Sequence, residues 1–328
     1  MRTIFLGLVA TTLCTLGGLA FANEAADYPN RPIRLIVPFA AGGPADLLAR
    51  RTAQSLEGTL KQSVVVENRT GAGSTIGTNA VARSDADGYT LLWATFSHSI
   101  NATLYKNLPY DSLNDFAPVS PVVNTYLALA ATPSAPGATV QEFIRAAKKD
   151  PKDFAYGSAG VGSGMHLAAA MFNSQAGLPA EITHVPYRGG SQVVPALLGN
   201  EVRYAFLGMD QAVPLARDGK VKILAVTSPQ RDPLLPDVPT LQEAGLKDFD
   251  VGIYLMVLAP KDTPAAIVEK LNQAINTTLQ SPDFVKATAD MAGVVRMTSY
   301  TPEKTRQFMR HEIDRWAPII KASGASID

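Results

Sequence analysis

Pro38-Phe39-Ala40-Ala41-Gly42-Gly43-Pro44-Ala45-Asp46 and Gly157-Ser158-Ala159-Gly160-Val161-Gly162-Ser163-Gly164-Met165-His166 are two glycine-rich stretches in the same local context. Each follows a strand-like run, Leu35-Ile36-Val37 in one case and Phe154-Ala155-Tyr156 in the other, and each opens a helix-like segment. A strand that passes into a helix through glycine presents the helix's first backbone N–H groups, which have no intrahelical partner, together with the positive end of its dipole. One such turn is a weak signal for an anion site. Two, in separate halves of one chain, predict a cleft that grips one anionic ligand from both sides.

Outward from these turns the pattern alternates between strand and helix. After Leu35-Ile36-Val37 come Ala45, Leu48, Thr52, Leu56 and Leu60 at helical spacing, then the β-branched run Val64-Val65-Val66, a helix near Thr75 to Arg83, and Tyr89-Thr90-Leu91-Leu92-Trp93. The second half repeats this. A helix through His166 to Gln175 precedes the strand Ile182-Thr183-His184-Val185, a helix around Val193 to Leu198, and the strands Tyr204-Ala205-Phe206-Leu207 and Ile223-Leu224-Ala225-Val226. The alternation predicts an α/β protein with a largely parallel sheet, whose ligands gather at the carboxyl ends of strands. Length predicts two domains. The crossing strands read as Tyr126-Leu127-Ala128-Leu129-Ala130 outward and Gly252 to Leu258 back, so residues 127–249 form a domain inserted between 23–126 and 250–328. Thr263-Pro264 and Thr301-Pro302 each read as an N-cap before a proline. The helices that follow carry Ile267, Leu271, Ile275 and Leu279, then Phe308, Ile313, Trp316 and Ile320, and read as packing.

Residues 1–22 read as a cleaved secretory leader: a basic start at Arg2, an apolar stretch from Ile4 to Leu19, and the small-residue site Ala20-Phe21-Ala22. The expected address is the periplasm. The single cysteine, Cys14, lies inside that leader, and Thr11-Thr12-Leu13 before it is not the sequence of a lipid-anchoring site, so no disulfide or thiolate chemistry is expected in the mature chain. Stability must come from a core, which 328 residues at 46% hydrophobic content supply. Lys and Arg total 29 against 29 Asp and Glu, and losing Arg2 with the leader leaves one net negative charge. That balance argues against a nucleic-acid or anionic-membrane surface. Any anion preference must come from local geometry.

In the first turn Gly42-Gly43 lets a ligand approach the backbone closely, and Asp46 reads either as a helix cap or as part of the site. In the second turn the glycine density suggests backbone set against ligand, with the hydroxyls of Ser158 and Ser163 as additional partners. His166, in the first turn of the next helix, reads as a structural hydrogen-bonder or a ligand contact. Enzyme signatures are sparse. His98, His166, His184 and His311 have no metal-site spacing, no serine stands in Gly-x-Ser-x-Gly, and Gly71-Ala72-Gly73-Ser74-Thr75-Ile76-Gly77 puts its third glycine one place late for a dinucleotide fingerprint. A secreted hydrolase built on Ser158, Ser163 or His166 is the competing class, but no base-orienting acid is evident. No cofactor or metal is expected.

Taken together, these motifs identify a resemblance. Tyr28-Pro29-Asn30-Arg31-Pro32-Ile33, Pro38-Phe39 through Asp46, Val66-Glu67-Asn68-Arg69 with Gly71-Ala72-Gly73, Asp87-Gly88-Tyr89, Tyr105 through Asp111, Gly157 through His166, His184-Val185-Pro186-Tyr187-Arg188-Gly189-Gly190 and Leu235-Pro236-Asp237-Val238-Pro239-Thr240 occur in order along nearly the whole mature chain. With them the chain resembles the tripartite tricarboxylate transporter substrate-binding proteins, the Bug or TctC family of periplasmic solute receptors. The resemblance implies a type II periplasmic-binding fold, two α/β lobes with a ligand cleft between them, and two Gly-rich turns acting as pincers on a ligand carboxylate. Carried over, these are Phe39, Ala40, Ala41, Gly42 and Gly43 with Asp46, and Ser158 to Ser163, including Gly162, with His166. Thr95, Ser97, Leu207 and Tyr254 complete the expected contacts.

Two departures bear on the ligand. Where relatives often have Trp and then Gly on the returning strand, this chain has Tyr254 and Met256; where many have Asp after the strand Phe, it has Leu207 after Phe206. If position 207 faces the cleft, the missing Asp removes a partner for an amino group, which favours a non-amino dicarboxylate or aromatic acid. The expected role is a monomeric receptor delivering its ligand to membrane transporter subunits, or alternatively presenting it to a sensor kinase.

Overall fold

Aliphatic and β-branched residues build β1 (Ile33–Val37), β2 (Val64–Asn68) and β3 (Thr90–Thr95) in the computed structural model, which describes residues 27–187 and 189–327. The leader assigned to residues 1–22, with Cys14, and Arg188 of the motif around β6 lie outside the described residues. β1 is buried on both faces and pairs in parallel with β2 and β3. This is the environment that selects continuous apolar runs over alternation. Helix α1 (Pro44–Leu60) follows β1 and buries Leu48, Thr52 and Leu56, and α2 (Thr75–Ala82) lies between β2 and β3.

Parallel pairing recurs in the second half, where β5 (Tyr156–Ser158) lies between β6 (His184–Pro186) and β7 (Tyr204–Gly208). Between the halves the sheet is antiparallel, a correction to the expectation of a largely parallel one. The cause is a pair of crossing strands, β4 (Phe116–Ala131) and β9 (Gly252–Pro260). β4 pairs with β9 from Phe116 to Tyr126, and from Leu127 to Ala131 its partner is β7 instead. β8 (Lys222–Val226) and β10 (Val294–Arg296) also pair antiparallel with β4. Among the described residues the strand order is β2-β1-β3-β9-β4-β7-β5-β6, with β8 and β10 set off that path.

The sequence reading recovered only the end of β4. Its first part contains Pro118 and Pro121, which lack an N–H and argue against a central strand. The strand accommodates them by shifting register after Pro118 and again after Pro121, as β-bulges do. β6 likewise starts at His184, not Ile182.

The remaining helices are α3 (Ser97–Leu104), α4 (Val140–Lys149), α5 (Gly164–Gln175), α6 (Gly190–Leu198), α7 (Met209–Arg217), α8 (Ala265–Gln280), α9 (Pro282–Ala289) and α10 (Pro302–Ala322). Thr301 caps α10 as expected, accepting the Lys304 N–H at 3.2 Å. Thr263 does not cap α8: Pro264 holds the cap position, and the Thr263 hydroxyl donates to the Pro260 carbonyl at 2.7 Å. In α10 the fully buried stripe includes Glu312 where Ile313 was expected, and the buried carboxylate is matched by Trp316 Nε1 at 3.0 Å and Arg315 Nη1 at 3.1 Å. No described helix is long and apolar enough to cross a membrane.

Candidate functional site

The first Gly-rich turn joins β1 to α1. Gly42 has φ +80°, a left-handed conformation that a side chain would strain, and Gly43 is the N-cap of α1 in an extended conformation. Asp46 is buried and does not cap the helix with its side chain. Its Oδ2 accepts the Gly42 N–H at 2.9 Å and Arg50 Nε at 3.0 Å, and its Oδ1 accepts Asn68 Nδ2 at 2.8 Å. The same Asn68 amide donates to the Phe39 carbonyl at 2.9 Å, so one side chain from β2 fastens both ends of the turn. Burial alone would push the Asp46 carboxyl up, but the hydrogen bonds from Arg50, Gly42 and Asn68, with the Arg50 charge, hold it below its usual value. The carboxylate is therefore ionised and already partnered. Gly43 N–H reaches the Ala40 carbonyl at 3.4 Å. Among the described residues, the N–H groups of Ala40 and Ala41, and those of Ala45 and Asp46 in the first turn of α1, have no protein acceptor.

The second turn joins β5 to α5. Ser163 is its N-cap, with Oγ accepting the His166 N–H at 3.2 Å. Two glycine amides are tied back: Gly160 N–H to Ser158 Oγ at 3.1 Å, and Gly162 N–H to His166 Nδ1 at 3.1 Å. Val161, Gly164 and Met165 keep N–H groups without a protein acceptor among the described residues. Each turn thus offers unpaired donors at a helix N-terminus, the arrangement that receives an anion. The free donors are neighbours of Gly42 and Gly162, whose own amides are spent within the turns.

Both turns border the segment between β2 and the end of α3. A Cβ on Gly77 of α2 would lie 3.0 Å from Pro38 Cβ, beside the first turn. A Cβ on Gly162 would overlap Leu104 of α3, and one on Gly164 would overlap Ile253 of β9 and reach Phe96 at 3.9 Å. The second turn therefore leans on α3 and β9 at glycine-only distance, with Phe96, just past the carboxyl end of β3, at ordinary contact distance. There Thr95 Oγ1 and Ser97 Oγ lie 2.8 Å apart, Ser97 Oγ is 3.4 Å from Ser74 Oγ, and Asn101 Nδ2 donates to the Gly73 carbonyl at 2.9 Å. Gly71 to Ser74 all have positive φ. This segment, weighed above against a dinucleotide loop, does follow a strand and precede a helix, and it forms a backbone turn stitched to α3.

Two of the expected contacts have buried side chains packed in the core. Leu207 is fully buried in the second half's outer core with Val193, Ala212 and Val226. The ligand preference drawn from it was conditional on a cleft-facing position, and a core leucine gives that condition no support. Tyr254 is also buried: its hydroxyl meets Ser99 Oγ at 2.6 Å, and its ring packs edge-on against Phe96 and Phe308. Sequence reading missed Asn68 and His184. In sequence Asn68 stands out only as part of the Val66-Glu67-Asn68-Arg69 motif, because its reach back to Phe39 exists only once β1 and β2 pair.

His184 Nε2 lies 2.7 Å from Ser158 Oγ, a nucleophile-to-base distance. Ser158 is nonetheless fully buried, its Oγ is engaged with both the N–H and the carbonyl of Gly160, and no carboxylate bonds His184 among the described residues. Among those residues no group of three His, Cys, Asp or Glu side chains could hold a metal.

Comparison with known proteins identifies the family. The description "Tripartite tricarboxylate transporter family receptor" matches residues 48–325. The chain is 37% identical over 327 residues to Protein BugT of Bordetella pertussis, covering 99% of each. Among solved structures, Rhodopseudomonas palustris Rpa4515 with adipate is similar at TM-score 0.80 and 32% identity, covering 92% of this chain and 99% of that one. MatC of the same organism, with bound malate, is similar at TM-score 0.76 and 32% identity, covering 89% and 100%. The mixed α/β fold is that of periplasmic binding proteins. A family match over residues 48–325, which takes in the start of α5, and a relative 37% identical along 99% of the chain lead to one conclusion: the chain belongs to the tripartite tricarboxylate transporter receptors, a periplasmic family of solute-binding proteins.

Proposed function

We propose that this receptor captures a small organic carboxylate between its two Gly-rich turns and delivers it to the membrane subunits of a tripartite tricarboxylate-type transporter. The observation that carries the reading is the pair of helix N-termini, each with unpaired N–H groups, at Ala40–Asp46 and Val161–Met165. Two such ends favour an anion without a buried Lys or Arg, in keeping with a chain whose formal charges balance. The relatives solved with adipate and malate support a non-amino dicarboxylate as the first ligand to test. Ligand contacts are proposed at Ala40, Ala41, Val161, Ser163 and Gly164, with Thr95 and Ser97 on the floor. The lobes are proposed to divide at 126/127 and 249/250, where β4 changes partner from β9 to β7. The protein is proposed to act as a monomer in the periplasm after loss of residues 1–22, as a receptor and not an enzyme.

A thermal-shift screen of the mature protein against mono-, di- and tricarboxylates, aromatic acids and acidic amino acids tests this. A ligand at 100 times its dissociation constant stabilises by about 2.7 kcal/mol. Esterifying the gripped carboxylate of a hit should weaken it at least about tenfold, or roughly 1.4 kcal/mol. Undiminished binding of every mono-ester, or a response to no carboxylate, would sink the reading.

A further inference from the structure

The second Gly-rich turn is shaped by two imidazoles. His166 Nδ1 accepts the Gly162 N–H at 3.1 Å, and the His166 ring stacks on His184 with centroids 4.1 Å apart and planes 9° apart. His184 stacks in turn on Tyr156 at 4.8 Å and sits 2.7 Å from Ser158 Oγ, the atom that accepts the Gly160 N–H. The glycines on either side of Val161 are thereby tied to a single stack, and Val161 between them keeps its N–H for another partner.

An imidazole accepts a hydrogen bond only at an unprotonated ring nitrogen, so His166 must be neutral with its proton on Nε2. The surroundings keep it so. Both rings are held among Tyr156 of β5, each other, and Tyr204 of β7 behind Tyr156 at 5.5 Å. No cation or carboxylate is recorded against either ring among the described residues. Burial, and then the neighbouring His184, lower the His166 pKa to about 4, and burial also lowers that of His184. The acceptor is thus present throughout the neutral range.

We propose that His166, set by its stack on His184, is a positioning residue for ligand capture: by accepting the Gly162 N–H it fixes the turn so that the Val161 amide and the first amides of α5 converge on one anion. The inference rests on the carboxylate reading above, and it replaces the expected direct contact of His166 with the ligand.

The test uses the mature protein, with adipate and malate as probes, and measurements that need no ligand. In the free protein, ¹⁵N NMR should find Nδ1 of His166 unprotonated. His166→Phe keeps a stacking ring and removes the acceptor; the Gly162 amide should then exchange at least about tenfold faster, and binding of whichever probe the wild type binds should fall by about tenfold. His166→Asn, which restores an acceptor oxygen near Nδ1, should bring both back to within about threefold. A proton on Nδ1, or Gly162 exchange and probe binding unchanged in His166→Phe, would overturn the proposal. If neither probe binds the wild type, the carboxylate reading fails on that count, while ring tautomer and Gly162 exchange still decide the role of His166.

Discussion

Asp46 is a carboxylate beside a turn that is proposed to bind carboxylates. The two are compatible because its charge is spent on Gly42, Arg50 and Asn68, so it shapes the donors and does not compete for them. Asp46→Asn turns an amide toward donors it cannot accept from, and should cost about 1.5–3 kcal/mol, the range for hydrogen bonds to a charged group. Urea unfolding at neutral pH measures it. The native carboxyl lies below its ordinary value of 3.8, so its stabilisation is complete above that value and is lost only as the pH falls through the native one. Gly43 gives a cleaner probe of ligand approach than Gly42. Gly43 has φ −77°, and a Cβ there would meet only the Ala40 carbonyl at 3.4 Å, whereas Gly42 has φ +80°. Gly43→Val should therefore change stability by no more than about 1 kcal/mol while removing most of the affinity in calorimetry. Near-native affinity in that variant would take the first turn out of the site.

At the scale of elements, the approach of α5 to α3 and β9 depends on two missing side chains. Gly162→Val looks, from sequence, like a block to the ligand. The structure assigns the clash to Leu104 instead, on top of the cost of φ +77° for an L-residue, about 1–2 kcal/mol. Gly164 is better suited to a test, because a Cβ there overlaps the terminal methyl of Ile253, an atom that Ile253→Val deletes. Gly164→Ala should push α5 away from β9 and weaken ligand binding, and adding Ile253→Val should recover much of the loss. The two changes should thus be coupled by about 0.5–3 kcal/mol in a double-mutant cycle. Additive losses would mean that this contact does not set how the second turn is seated.

For the molecule as a whole, two histidines carry a pH dependence that the sequence does not announce. Burial lowers both His98, whose Nε2 lies 2.8 Å from the Ser112 carbonyl, and His166 to about 4, from an ordinary 6.5. Between pH 6.5 and 4 the unfolded chain binds protons that the native one refuses, so stability falls as the solution is acidified through that window and is flat above it. Each full shift corresponds to on the order of 3 kcal/mol. Urea unfolding of the ligand-free protein at pH 7.5, 6 and 4.5 should show the midpoint dropping at each step. A midpoint independent of pH would mean that these rings are hydrated in the native state.

Much of the architecture was legible because local rules governed it. β1, β2 and β3 are apolar runs, Thr301 is a cap, and glycines punctuate the two strand-to-helix turns, so each can be read within about ten residues. The full length of β4 was not legible, since Pro118 and Pro121 argue locally against a strand and only β9 alongside explains how it bends around them. In the site, local sequence was enough to place a glycine-rich turn at each of two helix N-termini. Which amides remain free was not legible: the acceptors that take the others, Asp46 for Gly42, Ser158 for Gly160 and His166 for Gly162, are near in sequence, but two of them are held in place from distant parts of the chain, Asp46 by Asn68 across a parallel strand pair and His166 by its stack on His184. The tertiary structure also decided that Leu207 and Tyr254 belong to the core, since the direction of a strand side chain follows from which faces its sheet covers, and that is a property of the assembled sheet.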